Sequence, residues 1–251
     1  MIDGLNRQND LQLVCDGAPS YLLMLDSMVA SSPDDTGMLL NATKAYNAYT
    51  MAMAECGDPK RAAVLSKKAK SHGLALLRES CNIAPSLSLE QLTINLRSKD
   101  RNDVPSLFWG AYGWATWISY QQGAPAAVID LPKIEQVMQR IIELDETYYN
   151  GGAHLFLGVY HSLKPEIYGG KPAESRQHFE KALSISNREF LPIQVAFANT
   201  HAKMAFDREL HENLLNEVLA FDISTAPELT LSNVAAKKQA ARLLEEIDEY
   251  F

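Results

Sequence analysis

Apolar residues recur every three to four positions along almost the whole of this 251-residue chain, and no segment sustains the two-residue alternation of a half-buried strand. That spacing restricts the fold to helices packed on helices, an all-α architecture. Turn residues divide the pattern into elements. A short helix is predicted over Asn6–Val14 and a second over Ala18–Ser31, with Tyr21, Leu22, Leu25 and Val29 on one stripe. Pro33 and the pair Asp34-Asp35 end it and cap a third helix that reaches Cys56. Ala42, Ala45, Ala48 and Ala52 lie on one side of that helix, where small side chains admit a close neighbour, and Tyr46 and Tyr49 face another way. Gly57-Asp58-Pro59 combines a C-terminal glycine, a capping aspartate and a proline at the first helical position. It opens a helix to Asn82 carrying Ala62, Leu65, Ala69, Leu76 and Leu77. Ser88-Leu89-Glu90-Gln91 is a capping box for a short helix to Arg97.

The polar run Ser98–Asp103 separates two halves without marking a domain boundary, because the helix that follows reads as buried. Over Val104–Gln121 three stripes are apolar: Leu107, Ala111, Trp114 and Ile118; Phe108, Tyr112 and Ala115; Gly110, Gly113, Trp117 and Tyr120. A helix apolar all round is buried or lines a cavity, and all three tryptophans (Trp109, Trp114, Trp117) lie here. After the loop Gly123–Leu131, Pro132 opens an amphipathic helix with Ile134, Val137, Met138, Ile141 and Leu144. Asn150 is expected to cap a helix to Leu163; further helices follow at 173–186, 190–205, 208–221 and 231–250. Leu157-Gly158 in one helix and Phe179-Glu180-Lys181-Ala182-Leu183 in the next match the tetratricopeptide pattern, a helix pair of about 34 residues. Residues 35–82, 104–144 and 190–221 fit the same outline weakly. The expectation is a single all-helical domain, 1–251, of about four degenerate tetratricopeptide-like hairpins with terminal capping helices.

Composition removes several functions. A formal net charge of -8 leaves no basic stripe to neutralise phosphates, so nucleic acid is not an expected partner. The run Lys67-Lys68-Ala69-Lys70 is a solvated helix face. No apolar stretch approaches the ~20 residues that span a bilayer, since Tyr21–Ala30 is broken by Asp26 and Ser27. Met1–Asn6 has neither the basic nor the apolar region of a signal peptide. Of the three cysteines, Cys56 and Cys81 stand at opposite ends of a helix ~35 Å long and cannot pair. Cys15 with Cys56 is geometrically open in an up-down arrangement, and buried, inert thiols are the simpler expectation. The six histidines show no metal-binding spacing; His154 and His161 lie two turns apart on one helix, ~10.5 Å, too far for one ion. No nucleophile elbow or phosphate loop is present, so no catalytic residue, metal or cofactor is expected. Gly151-Gly152 reads as a tight turn against a neighbouring helix rather than an anion site.

A binding surface is expected instead. With Gly113 and Gly158 at the close-packed position of their helices, the residues one and four further on face the concave side. That register gives Trp114 and Trp117 in the central helix; set on Ala45 it gives Tyr46 and Tyr49, and set on Ala198 it gives Asn199. Aromatic side chains with one polar anchor suit a small, partly apolar ligand. Burial in the core is the competing explanation for these aromatics.

Several segments taken together resemble the TatT family, periplasmic tetratricopeptide-type lipoproteins associated with TRAP (tripartite ATP-independent periplasmic) transporters. They are Gly17-Ala18-Pro19-Ser20-Tyr21-Leu22-Leu23-Met24-Leu25-Asp26, the Trp109–Trp117 helix, and the block Tyr149–Ser186 with its Gly-Gly-Ala-His-Leu-Phe-Leu-Gly-Val-Tyr and Gly-Gly-Lys-Pro sequences. Phe206-Asp207-Arg208-Glu209-Leu210-His211 and Asp248-Glu249-Tyr250-Phe251 extend the likeness. The resemblance implies cryptic repeats, a homotrimer, no enzymatic activity, and a partnership with the transporter's periplasmic solute-binding (P) subunit. It also implies passage of a small, partly hydrophobic ligand through a pore, and a lipid anchor on an N-terminal cysteine, a setting that none of the three cysteines here occupies. A cytoplasmic adaptor binding a peptide segment is the alternative that the fold alone would fit.

Overall fold

The computed structural model describes residues 2–121, 123–164 and 166–251, without the side chains of Ile2, Asp3 and Tyr168; Pro165, in the loop expected over 164–172, lies outside them. All regular structure among the described residues is helical. The helices are α1 (Ile2–Asn6), α2 (Leu11–Ser31), α3 (Thr36–Glu55), α4 (Pro59–Cys81), α5 (Leu89–Arg97), α6 (Val104–Ser119) and α7 (Pro125–Val128), then α8 (Leu131–Asp145), α9 (Tyr148–His161), α10 (Pro172–Ile185), α11 (Pro192–Phe197), α12 (Arg208–Ala220) and α13 (Thr230–Glu245). They gather into two compact units, Gln12–Asp145 and Glu146–Phe251, the latter joined by the segment through Leu11.

In the first unit α3 pairs with α4 and α6 with α8, while α4 also packs along α6. The caps are those the sequence calls for: Asp35 accepts from the Met38 N–H, Asp58 from the Arg61 N–H, and Ser88 with Gln91 closes a complete capping box. The polar run Ser98–Asp103 lies inside this unit and divides nothing, because glycines let α6 lie directly on α4. A Cβ on Gly113 would stand 2.6 Å from the Ala69 carbonyl oxygen, and one on Gly110 only 2.9 Å from that of Gly73. No side chain fits at such a crossing.

Two boundaries at the N-terminus differ from expectation. The helix predicted over Asn6–Val14 does not form; α1 ends at Asn6, and α2 runs unbroken from Leu11 through Pro19. Proline at an interior position leaves the carbonyl four residues back, that of Cys15, without its helical donor. The Tyr49 hydroxyl supplies the missing hydrogen bond, at 2.9 Å. Thus extended, α2 is long and apolar enough by length and composition to cross a bilayer, contrary to the sequence reading. Here it packs Leu22 and Leu25 against Tyr46, Tyr49 and Leu65. Its Cys15 forms a disulfide with Cys56, which corrects the expectation of inert thiols there; Cys81 alone is a free, buried cysteine.

In the second unit α9 pairs with α10, α11 with α12, and α13 closes against α12 and α11. The core is Phe179, Leu183, Leu191, Ile193, Phe197, Leu215, Val218 and Ala240. Asn150 is not a cap: Tyr149, Asn150 and Gly151 all take left-handed backbone at φ 49°, 57° and 75°. The turn is needed because Gly151 passes close to α10, where a Cβ would meet the Ala182 Cα at 3.3 Å. The predicted helix 190–205 begins as α11 and widens into a π turn over Ala198–Ala202. The helix pairs of the two units span 36–81, 104–145, 148–185 and 192–220.

Candidate functional site

The crossing of α4 and α6 organises the aromatic helix. With Gly110 and Gly113 on α4, Trp114 and Phe108 are driven into the core at 1% exposure each, and the Trp114 indole N–H ends buried without a hydrogen-bond partner. A buried donor of that kind is rare, because leaving it unpaired costs about 1–3 kcal/mol. Trp117 stays half-buried. The Lys70 ammonium lies 3.3 Å from the centre of its ring, a cation–π contact. Burial lowers the pKa of Lys70 against the opposing pull of Asp130. Lys44 sits in the same way over Trp109, at 5.5 Å, and Tyr112 stacks on Phe108. Tyr112 and Trp117 of α6 and Tyr120 at its C-cap are half-buried.

Tyr46 and Tyr49 stand elsewhere in this unit, each 4% exposed beneath α2. Tyr49 replaces the hydrogen bond lost at Pro19. Tyr46 donates its hydroxyl to Asp26 Oδ2 at 2.8 Å, and the same carboxyl receives Lys68 at 3.1 Å and contacts His72 Nε2 at 3.2 Å. Burial by itself would raise the Asp26 pKa, but the hydrogen bonds from Tyr46, Lys68 and His72 outweigh it and hold the carboxyl below its ordinary value. Burial lowers the pKa of His72 despite the adjacent carboxylate. Both shifts act in one direction. Asp26 stabilises fully above its unfolded pKa near 3.9 and loses this as pH falls through its lower folded value, while His72 resists protonation as pH falls below ~6.5. Acid therefore weakens the grip on α2. Sequence reasoning missed Asp26 and His72, since partners 20 to 46 residues apart on different helices leave no local signal.

Asn199 lies in the second unit, half-buried in the π turn, a local widening frequent at functional sites. Next to it His201 Nδ1 meets Ser175 Oγ at 3.1 Å, and Ser175 donates to the Gly158 carbonyl at 2.8 Å. A Cβ on Gly158 would stand 2.9 Å from the Phe179 ring, so the Leu-Gly and Phe-x-x-Ala-Leu segments do meet. The structure therefore groups Trp114 and Trp117 on one helix of the first unit. It places Tyr46 and Tyr49 under α2 in that unit, and Asn199 in the second.

Helices packed in pairs within each unit define an all-α protein. A family model described as TRAP transporter T-component (TAtT) matches residues 7–251, and the chain belongs to that family, whose members are accessory proteins of transport. No curated protein matches the chain.

Proposed function

We propose that the chain is a periplasmic accessory component of a TRAP transporter that docks on the solute-binding subunit as a homotrimer and passes a small, partly hydrophobic ligand. The family match over nearly the full length carries this reading. Two observations support it. The Cys15–Cys56 disulfide suits an oxidising compartment and disfavours the cytoplasmic peptide adaptor. The half-buried Trp117, with the Lys70 ammonium over its ring, offers an aromatic face with one nearby polar group, as small-ligand sites do. Within the set Tyr46, Tyr49, Trp114, Trp117 and Asn199, we assign ligand contact in the first unit to the half-buried Trp117, with a supporting role for the buried Tyr46, Tyr49 and Trp114; the half-buried Asn199 is proposed as a contact residue of the second unit by itself. A lipid anchor on the full-length protein belongs to the proposal on the family resemblance alone.

Trp117→Ala tests the site. A ligand-facing indole predicts a modest stability loss, under about 2 kcal/mol, together with at least tenfold weaker binding of an apolar fluorescent probe or of the solute-binding subunit. A loss of ~3–5 kcal/mol, as for a core tryptophan, would remove Trp117 from the site.

A further inference from the structure

The hairpin of α9 and α10 holds three histidine rings in a file. His154 and His161 are two turns apart on α9, and His178 of α10 fills the space between them. Its Nδ1 lies 2.9 Å from His154 Nδ1, and its ring stacks on that of His161 with centroids 5.6 Å apart. A carboxylate stands at each end. Glu146 Oε2 is 3.7 Å from His154 Nε2 and Glu174 Oε2 is 3.6 Å from His161 Nε2; each carboxylate is also paired with a lysine, Lys181 and Lys171 respectively. From the π turn packed alongside comes His201, itself acted on by Arg176, Asp207 and Glu180. His154 and His161 are buried.

Two facing Nδ1 atoms need one proton between them. If His154 donated, its buried Nε2 would carry a bare lone pair toward the Glu146 carboxylate. If His178 donates, His154 accepts at Nδ1 and turns its Nε2–H toward Glu146, and no lone pair is wasted. His178 Nε2 is then free to take up a further proton without loss of the hydrogen bond. Protonation of His154 is different, because it sets N–H against N–H at 2.9 Å and the pair must part.

We propose that this file is a proton-operated latch, which holds α10 against α9 while the rings are neutral and releases the hairpin as the medium acidifies. The electrostatics agree. Burial lowers the pKa of His154, and burial together with the neighbouring His154 and His161 pushes His178 down to about 4. Both lie below the ~6.5 of an unfolded histidine, so the unfolded chain takes up protons first. The latch is at full strength above ~6.5 and weakens as pH falls from there toward about 4.

Hydrogen exchange on the full chain at pH 7.5 and pH 5.0, corrected for intrinsic rates, tests the latch. Acid should reduce protection in 152–161 and 173–183 by about tenfold or more relative to α6 and α8, which carry no histidine. In the double variant His154→Gln/His178→Asn neither facing position titrates while the two amides can still pair, and most of the acid-dependent loss of protection in the same segments should disappear. An equal loss in all helices, or an unchanged acid response in the double variant, would overturn the proposal. Should that variant fail to fold, an NMR titration of the wild-type imidazoles decides: coupled titration with one ring still neutral near pH 5 supports the latch, and independent titrations near 6.5 refute it.

Discussion

Reducing the disulfide between Cys15 and Cys56 is expected to cost the fold about 4 kcal/mol. The bond closes a loop whose ends are 41 residues apart, and the loss of chain entropy in the unfolded state gives that magnitude. The rest of the anchor is one hydroxyl at the Cys15 carbonyl, the Asp26 cluster, and the contacts of Leu22 and Leu25. Denaturation with and without a reductant should show the difference, and Cys56→Ser should reproduce the reduced curve. The third cysteine does not confuse the experiment, because Cys81 is fully buried and burial pushes its thiol up to about 12. Coincident midpoints in the two conditions would show that α2 is held without the bond.

An opposite kind of damage is expected at the crossing of α4 and α6. Gly113→Val puts three carbons where one already lies 2.6 Å from a backbone oxygen, so the helices must separate. The expected loss is about 3 kcal/mol or more, against which the gain of ~0.3–0.5 kcal/mol in helix propensity counts little. Gly17→Ala is the matched control. It lies inside α2 with open space around the added carbon, and should gain up to ~1 kcal/mol. Thermal or chemical unfolding of the two variants checks the pair. Equal effects would mean that the close approach does not constrain the fold.

The helices legible in the sequence are those whose ends carry local chemistry. Asp35, Asp58 and Ser88 cap the starts they were expected to cap, and Gly158 lies against the Phe179 ring. Misreadings fall where a distant group overrides a local preference. The helix expected from Ala18 begins earlier, at Leu11, because a tyrosine thirty residues beyond Pro19 satisfies the carbonyl that proline orphans. Asn150 suggests a cap, but the chain turns left-handed there to bring Gly151 against α10. The same holds for function. Spacing within α9 keeps His154 and His161 apart, and only the packing of α10 supplies the ring between them. In the aromatic helix, periodicity shows that all sides are apolar. Which tryptophan is entombed and which stays half-buried is decided by Gly110 and Gly113 lying on α4.

Native mass spectrometry of the purified chain, mixed with the solute-binding subunit of its own transporter, tests the central proposal most directly. The account predicts a trimer of the 27.9 kDa chain that takes up the solute-binding subunit at micromolar concentrations. A monomer that captures no such subunit at a hundredfold higher concentration would contradict it.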